Sequence, residues 1–189
     1  MNIFYLSNSP LQCAEEMPDI HVGSKNQGGK MIVETAQLLA LAYPLERLAG
    51  PSCPRTQKGT PRKHFNPKHP CGLWVMQDYC NWAWLLDLGF RMVEEKQYRG
   101  GNEHYCLQFF NWCRQNEPDL PYYRFTPPPQ CMPEEYQQED TVEAYRDYYW
   151  HDKAEKMEME WTKRGCPDWW SYRVLDELTK QAQELDMGY

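Results

Sequence analysis

Three groups of residues in this sequence have types and spacings suited to chemistry. The first joins "DIH" to "GGKMIVE" and contains Asp19, His21, Lys30 and Glu34. A glycine-rich loop opening a helix presents unpaired N–H groups and the positive end of the helix dipole, and Lys30 adds a full charge, so an anion can dock there. It is not a Walker loop, because the GxxxxGK[ST] spacing is missing and Met31 stands where the hydroxyl should be. The bland alternative is a flexible loop and a Lys30–Glu34 pair at i, i+4, worth roughly a few tenths of a kcal/mol.

The second group is "RTQKGTPRKHFNPKHP", residues 55–70. It holds the cations Arg55, Lys58, Arg62, Lys63 and Lys68, the histidines His64 and His69, and no carboxylate. Such a stretch attracts phosphates, and its histidines titrate near neutral pH. Its rival partner lies within the chain: from Pro133 to Glu160 the acids 134, 135, 139, 140, 143, 147, 152, 155, 158 and 160 face only Arg146, Lys153 and Lys156. The third group is "PYYRFTPPPQCMP", where Tyr122, Tyr123 and Phe125 flank Arg124 in a loop on which bases could stack without disturbing a helix.

Metal chemistry has a weaker signature. The eight cysteines include no CxxC pair and the five histidines no HExxH, so they read as small core residues and no protein-held metal is expected. Mg2+ would enter only with a phosphorylated substrate, which needs few protein carboxylates. No GxSxG nucleophile element is present.

The elements that must position these groups follow from periodicity. "NIFYL" is a short strand or an extended segment, and "SPLQCAEEM" a brief helix with Ser9 as N-cap and Pro10 at its first position. "DIHVGSKNQGG" reads as a loop. Helical spacing then runs from Lys30 to about Leu45, through one long helix carrying Val75, Tyr79, Trp82, Leu86, Phe90 and Val93, through "NEHYCLQFFNWCRQN", from Thr141 to Trp161, and through a closing helix from Trp169. The expected class is mainly α, a single domain over residues 1–189 with long proline-rich loops. With a net charge of -7 the chain is not coated in positive charge for non-specific nucleic-acid binding, so any DNA should meet one face. No apolar run suits a membrane span and the start lacks a signal-peptide pattern, so a cytoplasmic protein is expected.

Several stretches together, "MNIFYL", "DIHVG" with "GKMIVETAQLL", "KHFNPKHPCGLWV", "PPPQCMPEEY", "VEAYRDYY" and "WTKRGCPDWW", resemble a family of small bacteriophage proteins over nearly the whole chain. That group is similar to the amino acid:DNA transferases, the α-glutamyl/putrescinyl thymine pyrophosphorylases of thymidine hypermodification. The resemblance implies a DNA-glycosylase-like helical fold in the cytoplasm of an infected bacterial host. It implies an enzyme replacing the pyrophosphate of pyrophosphorylated 5-hydroxymethyluracil with an amino acid or amine, with double-stranded DNA as partner. In the family the His and the Lys sit close together, roughly "DKHVVKM"; here "GSKNQGG" separates His21 from Lys30, a loop insertion able to move them apart.

Under this reading Lys30, Arg62, Lys63 and His69 would meet the departing pyrophosphate, His21 or Glu34 would serve as base with His104 in reserve, and Tyr122, Tyr123 and Phe125 would hold an exposed base. Arg55, Lys58, His64, Lys68 and Arg124 would contact phosphates. Two other classes fit the same residues: a non-catalytic phage DNA-binding accessory protein, and a DNA glycosylase or lyase in which Lys30 attacks a sugar carbon.

Overall fold

Residues 2–186 are described by a computed structural model, and every regular element among them is helical. α1 spans Pro10–Glu16, α2 Asp19–Val22, α3 Lys30–Ala40, α4 Leu45–Ala49, α5 Pro70–Gln77 and α6 Tyr79–Tyr98. α7 follows at Cys106–Gln115, α8 at Thr141–Tyr148, α9 at Ala154–Lys156 and α10 at Asp168–Asp186. A short 3-10 turn covers Glu134–Tyr136, and a π turn over Tyr149–Lys153 joins α8 to α9. No helix among the described residues is long and apolar enough to cross a membrane.

α6 is the axis of the fold. It buries Trp82, Leu85, Leu86, Met92 and Val93, and α1, α2, α3, α5 and α7 pack around it into one hydrophobic cluster. Each such side chain contributes about 1.5–3 kcal/mol when removed from water. The N-terminal residues Ile3, Phe4, Tyr5 and Leu6 are extended and buried, so the opening segment packs on helices and pairs with no strand.

Several helix boundaries differ from the sequence pattern: the helix expected from Lys30 to about Leu45 ends at Ala40, and a separate α4 starts after Pro44. The long helix is two, because Asp78 adopts φ -152° and caps α6: its Oδ1 accepts from Cys80 N at 2.8 Å. Its other oxygen accepts from the backbone N–H of Tyr123 and Arg124 at 3.1 and 3.0 Å, pinning the proline-rich loop. The helix expected from Thr141 to Trp161 ends at Lys156, and the chain turns extended so that Glu160 O accepts from Asp19 N and Trp161 Nε1 donates to Glu16 O, both at 2.8 Å. "DIHV" is a helical turn where a loop was expected.

Candidate functional site: a cleft at the start of α3

The chain folds locally so that α2 and α3 meet end to end. Gly23 (φ +94°) ends α2 and Gly29 (φ +79°) precedes α3, both in conformations that L side chains rarely adopt. A Cβ on Gly23 would stand 2.9 Å from Gly29 Cα, so the residues between them form a loop whose ends touch. The insertion between His21 and Lys30 therefore closes on itself, with Ser24 buried, Lys25 and Asn26 exposed and Gln27 and Gly28 on the cleft that His21 and Lys30 both line.

Buried charge holds α2 in place. The Arg99 guanidinium, fully buried at the end of α6, donates to Asp19 Oδ1 at 2.9 Å, Glu95 Oε1 at 2.7 Å, Met17 O at 2.8 Å and Glu15 O at 2.9 Å. Arg164 grips both oxygens of Glu95 at 2.7 and 2.8 Å, and Thr162 donates to Asp19 through its N–H and hydroxyl. Asp19 is thus fully engaged in fastening α2 to α6, and chemistry falls to its neighbours.

Two adjoining cavities of about 780 and 150 Å³ share His21, Lys30 and Met157 as a wall. The larger is walled also by Gly28, Gly29, Gln57, Lys96 and His104; the smaller adds Asn2, Phe4, Glu34 and Lys153. Gly29 supplies no side-chain cap, Ile32 N bonds back to Gly29 O at 3.2 Å, and Gly28, Gly29 and Lys30 line the larger cavity, so the positive end of the α3 dipole lies beside it. Lys30 Nζ lies 3.5 Å from Glu34 Oε1. Lys96 is buried; its stem runs against both glycines and its Nζ donates to Asn102 O at 3.1 Å, with further protons to offer.

His21 is 4% exposed, stacked on Phe4 at 4.5 Å, with Nδ1 2.7 Å from the Tyr149 hydroxyl. Burial pushes the Tyr149 phenol well above its usual range, and this hydroxyl has no other partner among the described residues. Its proton therefore goes to Nδ1, which leaves the His21 proton on Nε2. Burial, and then the charges of Lys153 and Lys30, lower the His21 pKa to about 3. His21 is accordingly a neutral N–H donor at physiological pH, ill suited to the role of base, which leaves the carboxylates Glu103 of the larger cavity and Glu34 of the smaller one to take a proton. His104, with Nδ1 accepting from Cys106 N at 3.2 Å, is lowered to about 4 by burial and by Lys96 and is likewise a neutral donor. The π turn matters here, because it aims Tyr149 at His21 and Lys153 at the smaller cavity.

The other expected site residues lie elsewhere. His69 caps α5, its Nδ1 accepting from Cys71 N at 3.2 Å, and is not part of the cleft wall. Arg62 is buried with its guanidinium 3.9 Å above the Phe109 ring and its Nε bonded to Pro54 O, so it holds the basic loop down and is withdrawn from phosphates. His64 bonds Tyr43 O at 2.8 Å. Arg55, Lys58, Lys63 and Lys68 are exposed and none pairs with a carboxylate among the described residues; the acids of α8 pair instead with Arg146 and Arg173.

Tyr122 and Tyr123 are exposed beside the start of α6, as is Arg124, while Phe125 packs against Trp84, Trp74 and Tyr5. Phe125 is thus scaffold. The run of α6 from Tyr79 to Lys96 is about 26 Å at roughly 1.5 Å per residue, so these tyrosines cannot clasp a base held in the cleft. Lys96, Lys153 and Tyr149 join the site without a local motif; their only sequence signal is a polar group on a helix face otherwise read as core. Comparison with protein-family models, with curated proteins and with solved structures finds no match for this chain.

Proposed function

We propose that this cleft transfers an amino acid onto pyrophosphorylated 5-hydroxymethyluracil in double-stranded DNA, with release of pyrophosphate, in the cytoplasm of a phage-infected host. The observation that carries the reading is the convergence of the uncapped start of α3, Lys30, Lys96 and the neutral N–H donor His21 on one cavity of about 780 Å³. Three donors beside the positive end of a helix dipole suit a polyanionic leaving group. The helical core is compatible with the glycosylase-like relation that the resemblance implies, and Mg2+ would enter bound to the pyrophosphate.

In this mechanism the amine nitrogen attacks the methylene carbon on C5 of the base. A C–N bond forms, the C–O bond breaks, and pyrophosphate leaves with the electron pair. Before the attack Glu34 takes a proton from the ammonium and frees the nitrogen lone pair, the second proton passes to solvent after the C–N bond has formed, and Lys30, Lys96 and His21 neutralise the charge growing on the leaving oxygens. The smaller cavity presents Glu34 to an ammonium and Lys153, itself paired with Asp152 at 3.1 Å, to a carboxylate, a pair that suits an amino acid over a polyamine. Exposed Lys58 and Lys63 on the loop that sends Gln57 to the cleft would contact flanking phosphates.

The test is mass spectrometry of nucleosides digested from a duplex carrying the pyrophosphorylated base, after incubation with protein and a pool of amino acids and polyamines. The expected result is an adduct in which the amino acid is joined through its nitrogen to the 5-methylene carbon, formed by the wild type and lost in Glu34→Gln. Unchanged nucleosides with the DNA demonstrably bound would instead support an accessory DNA-binding role, and a borohydride-trapped protein–DNA adduct would support a lyase.

A further inference from the structure

Away from the cleft, where the N-terminal segment crosses the start of α5, two cysteines distant in sequence meet. Cys71 Sγ and Cys131 Sγ are 3.5 Å apart, and the ligating atoms of His69, Cys71 and Cys131 all lie within 4.8 Å of one another. Tetrahedral zinc with Zn–S near 2.3 Å holds two sulfurs roughly 3.8 Å apart, so the observed spacing is that of one edge of such a site. A disulfide needs about 2.05 Å, which would require the crossing loop to move inward.

His69 Nδ1 accepts from Cys71 N at 3.2 Å, so ligation by either ring nitrogen requires this capping bond to open, which frees a lone pair of the neutral imidazole for the metal. His69 and Cys131 are half-buried and Cys71 is buried, so a bound ion would be sheltered yet reachable.

We propose that His69, Cys71 and Cys131 form a zinc site. On binding, both thiols release their protons to solvent, two Zn–S bonds and one Zn–N bond form, and water takes the fourth position. Zn2+, two thiolates and a neutral imidazole sum to zero charge, which suits a partly buried place. The ion ties the proline-rich crossing that carries Cys131 to the start of α5. Cys131 follows Pro129, whose carbonyl accepts from the Tyr145 hydroxyl at 3.0 Å, so the clamp also fixes the loop against α8.

The experiment uses the full chain, reduced and stripped with a chelator, and titrates Co2+ as probe followed by Zn2+. The expected result is one Co2+ per chain with thiolate-to-cobalt charge-transfer absorption and tetrahedral ligand-field bands, displaced by one equivalent of Zn2+. Cys131→Ser should weaken binding at least tenfold, and Cys166→Ser, at an exposed cysteine elsewhere, should leave it unchanged. A wild-type spectrum without charge transfer overturns the proposal, as does a charge-transfer signal that persists at full affinity in Cys131→Ser. Formation of a Cys71–Cys131 disulfide in air while Zn2+ is present in excess also overturns it. If Cys131→Ser does not fold, X-ray absorption on the zinc-loaded wild type decides between two sulfur ligands and none.

Discussion

The basic loop and the cleft at α3 differ in an instructive way. The loop concentrates its charge along the chain, yet in space it splits: Arg62 lies under cover on Phe109, His64 bonds Tyr43 O, His69 caps α5, and Arg55, Lys58, Lys63 and Lys68 face solvent. The cleft draws on residues scattered over the chain: His21 and Lys30 form the wall between two adjoining cavities, Lys96 lines the larger and Lys153 the smaller, and they meet because Gly23 meets Gly29 and Arg99 fixes α2. Density of charge in sequence and density of charge in a site are separate quantities. What converts one to the other is buried anchoring, and each anchor can be broken separately.

The largest effect is expected at Arg99. Arg99→Ala leaves Asp19 and Glu95 short of a buried cation and should lower unfolding free energy by about 3–5 kcal/mol in urea titration. A loss below about 1 kcal/mol would mean that α2 is held by packing alone.

Arg62 and Lys63 divide the basic loop into scaffold and surface. Arg62→Ala should cost about 2 kcal/mol of stability through its contact with Phe109, while the salt dependence of DNA binding stays as it was. Lys63→Ala should leave stability unchanged and reduce the slope of log K against log salt by about one unit. Exchange of these two outcomes would reverse the assignment.

Acid should act on the cleft. A histidine whose folded pKa lies below its unfolded value near 6.5 binds its proton more readily when unfolded. Stability from His21 is therefore complete above pH 6.5 and declines as pH falls toward about 3. The slope from this one group approaches about 1.4 kcal/mol per pH unit between those limits, and His21→Asn should remove it from the pH profile of urea midpoints. His104, lowered to about 4, adds a loss of the same sign over the same acid window.

The smallest effect concerns the loop between Gly23 and Gly29. Deleting residues 24–28 so that Gly23 joins Gly29 should change stability by under about 1 kcal/mol, because the loop's ends already touch. A collapse of the fold, seen by circular dichroism, would show that the loop itself supports the cleft.

Much of this architecture was legible in the sequence and part of it was not, for physical reasons. α3, α7 and the start of α10 follow from apolar spacing, and Pro10 behind Ser9 marks α1. The break at Asp78 was hidden because α5 and α6 both bury their apolar faces and the stripe runs on across the junction; the cue was an Asp able to cap. The end of the helix at Lys156 depends on hydrogen bonds to α1 and α2, which no local window contains. In the site, His21, Lys30 and Glu34 were visible as a motif, whereas Lys96 and the pair Cys71 and Cys131 are joined only by tertiary approach. His21's form could not be read locally either, since it depends on Tyr149 across the fold.

The most direct test of the cleft as a polyanion site is calorimetric titration of inorganic pyrophosphate into the wild type, Lys30→Met and Lys63→Ala. Lys30→Met should weaken binding at least tenfold, with Lys63→Ala unchanged. A loss in Lys63→Ala with Lys30→Met unaffected would place the anion on the basic loop and contradict the account.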